Sequence, residues 1–382
     1  MSEISKQTRL SQEEINRYSR HLILPEVGLK GQLKLKNSKV LVVGTGALGS
    51  PVLLYLSAAG IGTIGIIDFD TVDESNLQRQ IIHSTNEIGN PKVNSAKSRI
   101  NSINPNIDVI AYNDKLTSKN ALEIIKNFDV VVDGTDNFQT RYLINDACVF
   151  LNKPFVYGAI FRFEGQSTVF NADKNSPCYR CIFPEPPKAG LVPSCSEAGV
   201  LGVLPGIIGT IQASETIKTV LEIGETLKGR LLTLNALKMD FKDYKIKKDE
   251  NCKVCGDNAT IKELIDYEEF CGLKDSLQEI EFKELSGENL KELMHNKEQI
   301  LLIDVRISTD FQARNIYNSK NIPFEDLLNR ASEIDETKKV VLICTIGLKS
   351  KEAISKLKKA GYKGELYSLK GGITSWINDN QD

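Results

Sequence analysis

The chain has 382 residues, 41% of them apolar and 26% charged, with a formal net charge of -2. That composition suits a soluble globular protein with room for two or three domains. Its near-neutral balance argues against a dedicated nucleic-acid binder, which needs a basic excess for counterion release. The polar, mixed-charge opening is no secretory signal. The longest apolar stretch, residues 199–213, is interrupted by Pro205 and glycines and is too short for a bilayer. A cytoplasmic protein without a membrane partner is expected.

The first elements alternate. Residues 39–44, KVLVVG, are a β-branched apolar run that reads as a buried strand, and 47–60 as the helix after it, closed by Gly60. Residues 63–70 read as the next strand, NPKVNSAKSRINSIN as a helix, and IDVIAYND and FDVVVDGTDN as further strands. This βαβ rhythm predicts an α/β fold with a mostly parallel sheet and helices on its faces. PFVYGAIF and GQSTVFNA extend the sheet, and PGIIGTIQASETIKTVLEIG carries a long amphipathic helix. Beyond Cys255 the sequence turns acidic and irregular. It reads as a linker over 259–279, between a first domain (1–258) and a second (280–382). There a smaller α/β rhythm begins, with ILLIDVR and VVLICTIG as strands, KSKEAISKLKKAGY as a helix, and then ELYSLKGG.

Gly44, Gly46 and Gly49 form a GxGxxG loop between the first strand and its helix, which lets backbone N–H groups and a helix N-terminus approach phosphates. Asp68, at the end of the second strand, suits a ribose hydroxyl. Nicotinamide dehydrogenases share both features. Asn76, Arg79 and Lys92 favour a triphosphate, which needs more cationic and amide donors than a dinucleotide's pyrophosphate. Asp136, at the next strand exit, offers a carboxylate for Mg2+ bridging the phosphates. Taken singly each is a surface salt bridge or a turn; together they point to ATP.

The eight cysteines include two CxxC pairs, Cys178/Cys181 and Cys252/Cys255. Two such pairs supply the four thiolates of a closed tetrahedral Zn2+ site, and a redox dithiol is the rival reading. Cys195 lies in a Pro-, Ser- and Gly-rich loop ahead of the long helix, a setting that presents a thiol and lowers its pKa. Cys344 follows a strand and precedes a short loop with Gly347 and Ser350. Backbone N–H groups converging on such a sulfur stabilise its anion, a cradle suited to a persulfide. Cys148 and Cys271 read as packing thiols.

The segments RYSRHLILPEVG, VGTGALGSP, DFDTVDESNLQRQ, GNPKV, DGTDNFQTRY, EGQSTVF and PCYRCIFPEPP follow one another as in the molybdopterin-synthase and thiamine-biosynthesis adenylyltransferases, relatives of the ubiquitin-activating enzymes. Residues 8–257 resemble that family throughout. The resemblance implies a Rossmann-like adenylation domain in which Gly44, Gly46, Ala47, Gly49, Asp68, Asp70, Ser75, Asn76, Arg79, Lys92, Asp136 and Asn137 hold ATP and Mg2+. Arg79 and Asp136 would also serve catalysis. It further implies that Arg20 reaches the phosphates from the partner subunit of a homodimer, and that Cys195 bonds covalently with a carrier protein. Ala47 stands where many relatives have glycine. Residues 280–382 resemble rhodaneses through LLIDVR, the Cys344 loop and LKGGITSW. Thr345 stands where many have arginine, and ARNIYNSKNIP lacks the usual GHI.

The two halves lead to one expected function. ATP adenylates the C-terminal glycine of a small ubiquitin-fold sulfur carrier ending in Gly-Gly, and a Cys344 persulfide converts it to a thiocarboxylate. A donor such as a cysteine desulfurase would charge Cys344, and molybdopterin, thiamine or tRNA thiolation would use the product. The alternative is an activator of a ubiquitin-like protein that forms a thioester at Cys195, with the rhodanese-like domain only docking partners. A dehydrogenase and a non-enzymatic carrier scaffold are the further rivals.

Overall fold

In β1 (Lys39–Val43) every residue from Val40 on is buried, as a strand covered by helices on both faces requires. The computed structural model, which describes residues 9–187, 199–272, 283–295, 300–345 and 347–378, sets β1 between β2 (Thr63–Ile67) and β4 (Val130–Asp133), parallel to each. β3 (Asp108–Tyr112) joins β2 and β5 (Phe155–Phe161) joins β4, again in parallel. Parallel neighbours need a crossover, and the helices Gly49–Ala59, Lys92–Ile103 and Phe138–Phe150 provide them. β6 (Glu164–Phe170), β7 (Arg230–Asn235) and β8 (Asp240–Lys245) then add antiparallel, giving the order β3-β2-β1-β4-β5-β6-β7-β8.

Two departures from the sequence reading have local causes. The strand expected over 63–70 stops at Ile67, because the Asp68 carboxylate turns back to accept the Asp70 N–H at 3.0 Å. β7 and β8 were not expected at all. β8 is exposed at every residue, so it carries no apolar alternation to read.

The core is the contact of β1, β2 and β4 with the crossover helices. Val40, Val42, Ile64, Ile66, Val130 and Val132 pack with Leu53 and Leu56 of one helix and Val93, Ala96 and Ile100 of another. Each of these Val, Ile and Leu side chains contributes about 1.5–3 kcal/mol on burial. Among the described residues no helix is long and apolar enough to cross a membrane.

The chain divides into two compact units between Gly272 and Leu273. Inside the segment read as a linker, Tyr267–Phe270 form a short helix bound to the first unit. Arg180 is its anchor: Nε and NH2 donate to the two oxygens of Asp146 at 2.9 and 2.8 Å, and the Tyr267 hydroxyl donates to the same carboxylate at 2.8 Å. The guanidinium also packs against the rings of Tyr142 and Phe270, at 4.8 and 4.4 Å from their centroids.

The second unit is a parallel sheet of β9 (Lys283–Leu285), β10 (Ile300–Asp304), β11 (Lys320–Asn321), β12 (Lys339–Ile343) and β13 (Leu366–Leu369), ordered β11-β10-β12-β13-β9. Its two faces carry separate apolar clusters, one around Ile303, Leu342 and Ile354 and one around Leu302, Val341 and Leu369.

Arg180→Ala leaves the Asp146 carboxylate buried without its cation. A loss of about 3–5 kcal/mol is expected, read as a lower urea midpoint for the first unit. Adding Asp146→Leu to an Arg180→Met background should return most of it.

Candidate functional site

Val43 is aligned with Ile67 on one side and Asp133 on the other, so β1, β2 and β4 end at one level. The sheet order reverses direction between β1 and β4, the point where open α/β sheets form a binding crevice. Glycine makes that crevice. Gly44 has φ +91°, and a Cβ there would stand 2.6 Å from the Gly134 carbonyl oxygen. A Cβ on Gly134 or Gly49 would stand 2.4 or 2.1 Å from the Gly44 oxygen. Gly46 differs, since its Cβ would meet nothing closer than the Gln80 amide at 3.5 Å. Three of these glycines serve packing, and Gly46 has room for a Cβ in ordinary contact with Gln80.

Thr45 fixes the loop to the next strand: its N–H and hydroxyl donate to Asp68 Oδ2 at 2.8 and 3.0 Å. Gly46 O accepts from the Ser50 N–H and hydroxyl at 2.9 and 2.7 Å. His83 is buried, with Nε2 at 3.0 Å from Thr45 O and Nδ1 at 2.9 Å from Ser95 Oγ. Burial holds its pKa below the ordinary value. Gln80 is buried beside Gly46, with Oε1 unpartnered.

The charged groups are arranged around this loop. Asp73 accepts from the Ser75 N–H and hydroxyl, which hold its carboxyl below the usual range, and Arg79 NH1 donates to Ser75 O at 3.0 Å. Lys92 Nζ lies 3.0 Å from Asp70 Oδ2, which leaves N–H groups of the ammonium for a ligand. Asn76 is half-buried between Ser75 and Arg79, and Ala47 is half-buried beside Gly46. Asp136 is exposed past β4. Asn137, read as a nucleotide contact, accepts the Thr140 N–H at 2.9 Å and caps the helix Phe138–Phe150. Behind them Arg141 donates to Asp133 at 2.8 Å and to Thr135 O at 3.3 Å, while Asp133 accepts from Thr135. Burial opposes the charge on Arg141, but Asp133 outweighs it and the guanidinium stays protonated.

The two CxxC pairs meet. Sγ of Cys178 lies 3.6 Å from Cys252 and 3.8 Å from Cys181, and Cys181 lies 3.3 Å from Cys255. All four sulfurs fall within 4.8 Å of one another. Zn–S bonds of about 2.3 Å give a tetrahedron with edges of about 3.8 Å, so the donor set fits a single Zn2+ better than it fits two separate dithiols. Asp249 N donates to Cys181 Sγ at 3.4 Å.

In the second unit Cys344 directly follows β12 and is 2% exposed. Among the described residues one backbone N–H reaches its sulfur, that of Gly347 at 3.1 Å, with the Ser350 hydroxyl at 3.5 Å. Ser350 and Ser368 share a hydrogen bond at 2.7 Å behind it. Thr374 Oγ1 and N–H both donate to Thr345 O. Asp304 takes a bidentate hold on Arg306, and Asn321 Nδ2 bonds the carbonyls of both.

The structure thus sets Gly44, Gly46 and Asp68 at the exits of β1 and β2, with Lys92 held on Asp70 and Arg79 on Ser75 O. It leaves Arg20 exposed on the helix Ser19–Leu22. Cys195 lies outside the described residues. Burial pushes Cys148 up and takes Cys271 to about 11, both set for inert packing. Sequence reasoning missed Thr45, His83, Ser95 and the Asp133–Arg141 pair, whose roles come from contacts between distant segments. The HST run after Arg79 was the one available hint.

The ThiF family matches residues 18–254, and the rhodanese-like domain matches 286–379. The probable adenylyltransferase/sulfurtransferase MoeZ of Mycobacterium tuberculosis strain H37Rv is 44% identical over 380 residues, covering 97% of this chain and 95% of that protein. The adenylyltransferase and sulfurtransferase MOCS3 of Dictyostelium discoideum is 40% identical over 421 residues, covering 100% and 99%. The sulfur carrier protein adenylyltransferase of Thermus thermophilus is 50% identical over 270 residues, covering 70% of this chain and 100% of that one. Among solved structures, E. coli MccB with ATP aligns with a TM-score of 0.55 at 23% identity, over 63% of this chain and 74% of that one. At that identity the likeness concerns the fold alone.

The glycine geometry separates folding from binding. Gly44→Ala should destabilise the first unit by about 1–3 kcal/mol, seen as a lower melting temperature. Gly46→Ala should melt like the parent, because its methyl would meet only the Gln80 side chain, at an ordinary contact distance of 3.5 Å.

Proposed function

The chain belongs to the ThiF family and carries a rhodanese-like domain behind it, and on that footing we propose that it adenylates the C-terminal glycine of a small ubiquitin-fold sulfur carrier protein and then replaces the activated oxygen with sulfur. It is an adenylyltransferase and a sulfurtransferase in one polypeptide. The observation that carries the reading is the pairing of a glycine-built mouth with a thiol, Cys344, that accepts the Gly347 N–H at 3.1 Å.

ATP is the first substrate. Gly46 and Ala47 leave room for its phosphates at the start of the helix Gly49–Ala59. Thr45 and Asp70 use only part of the acceptor capacity of Asp68, so lone pairs remain for the ribose hydroxyls. Asn76, Arg79 and Lys92 receive phosphate oxygens. Asp136 offers a hard oxygen ligand to Mg2+, which neutralises phosphate charge when bound. Arg20 serves the mouth of a second copy in a homodimer. The carrier's carboxylate oxygen attacks the α-phosphorus as the bond to pyrophosphate breaks, and the cations stabilise the charge on the leaving group.

Sulfur then enters from Cys344, charged as a persulfide by a cysteine desulfurase. The terminal sulfur attacks the acyl carbon, AMP leaves, and an acyl disulfide joins the carrier to Cys344. A second thiolate, with Cys195 as the candidate, attacks the Cys344 sulfur. The carrier leaves as a thiocarboxylate, and a cellular thiol reduces the disulfide that remains. Zn2+ on Cys178, Cys181, Cys252 and Cys255 is structural, since four cysteines fill its coordination and leave no place for substrate.

Purified enzyme with a Gly-Gly carrier should exchange labelled pyrophosphate into ATP, and with a persulfide donor should give carrier in which one sulfur replaces one oxygen by mass. Cys344→Ala should keep the exchange and lose the sulfur. Absence of exchange, or undiminished sulfuration by that variant, contradicts the proposal. Metal analysis should find one Zn2+ per chain, lost in Cys252→Ala.

A further inference from the structure

His83 stands between Arg79 and Lys92 in sequence, and the chemistry above does not use it. Both of its ring nitrogens are nonetheless committed, in a side chain that is 7% exposed. Thr45 O, 3.0 Å from Nε2, can only accept, so Nε2 carries the proton. Nδ1 of the neutral ring then accepts from the Ser95 hydroxyl at 2.9 Å.

The residue it holds is the one before Gly46. Thr45 N and Oγ1 are tied to Asp68, so with its carbonyl on His83 every polar group of Thr45 is fixed. Gly46 O is held in turn by Ser50. Ser95 belongs to the helix that begins at Lys92, and the His83 N–H donates to Gln80 O at 3.1 Å within the segment that carries Arg79. One residue therefore joins the three: its ring bonds the glycine loop and the Lys92 helix, and its backbone N–H bonds the Arg79 segment.

We infer that His83 is a positioning residue for adenylation: its neutral ring clamps the Thr45 carbonyl and fixes the Gly46 turn against which the phosphates bind, an inference that rests on the ATP site proposed above. Three charged groups face the ring. Lys92, on the helix, opposes its protonation, while Asp68 at the exit of β2 and Glu87 in the turn after it favour it. Burial is the largest influence, and with Lys92 it outweighs the others, so the folded ring titrates below its usual value of about 6.5. The clamp is therefore intact above that usual value. As pH falls through the depressed one Nδ1 gains a proton: the Nε2–H bond to Thr45 O persists, but the Ser95 hydroxyl must turn round and a cation forms beside Lys92, so acid disturbs how the ring is seated.

The test is pyrophosphate exchange by the full chain across pH, with ATP and a Gly-Gly carrier varied in turn. His83→Leu should raise KM for ATP about tenfold, the scale of one lost hydrogen bond, and leave KM for the carrier unchanged. His83→Gln, whose amide N–H reaches toward the same carbonyl, should recover most of it. Ser95→Ala should move the acid limb of the ATP KM profile. His83→Leu with parental KM for ATP, or with both KM values raised in step, overturns the inference while the adenylation reading stands. Wild-type enzyme that exchanges no pyrophosphate at any pH overturns both. If His83→Leu does not fold, NMR titration of the wild-type ring decides, and the chain has only three histidines to assign. An Nε2–H ring titrating below the usual range supports the inference, and an Nδ1–H ring titrating within it overturns it.

Discussion

The close approach of β1 to β4 at their C-terminal ends sets the terms for the first unit's mouth. Gly44 and Gly134 face each other with no room for a methyl on either. The chain therefore turns at Gly44 in the left-handed region, crosses to Asp68 through Thr45, and starts its helix at Gly49 against the Gly44 carbonyl. No side chain stands between the two strand exits, and the backbone of the two strands meets there directly. The binding loop is the product of a packing constraint.

Buried charge supplies the second layer of definition. Asp133–Arg141 lies directly behind the Thr135–Asn137 loop, and Asp146–Arg180 lies behind the cysteine cluster. Neither pair is an efficient source of stability, because desolvating two ions offsets most of their attraction. Each does restrict where its loop can go. Arg141 contacts both Asp133 and Thr135 O, so the exposed Asp136 next to them inherits a fixed backbone. Arg180 sits between Cys178 and Cys181 in the chain, so Asp146 holds the CxxC turn from inside.

What could be read from sequence was what is local. The β-branched run at 39–43, the glycine spacing after it and the two CxxC pairs each put their meaning within a few residues, and β1, its loop and the sulfur cluster appear as expected. Contacts made across the fold were not legible. Nothing near His83 in the chain announces Thr45, and nothing near Ser350 announces Ser368. β8 escaped because all six of its residues face solvent. Part of the presumed linker escaped for the opposite reason: Tyr267 and Phe270 look incidental among acidic residues until Arg180 is in place.

That last contact gives the fusion of the two halves a physical seam. The Tyr267–Phe270 turn is a hook belonging to the sheet and cysteine cluster before it, not the opening of the second unit. A rearranged gene that parts the halves ahead of the hook bares the face of Arg180 and takes one partner from a buried carboxylate. One that parts them after Gly272 carries the hook along and leaves that interior whole. The join that looks arbitrary in a string of letters is thus a narrow window, defined by one guanidinium and the ring that covers it.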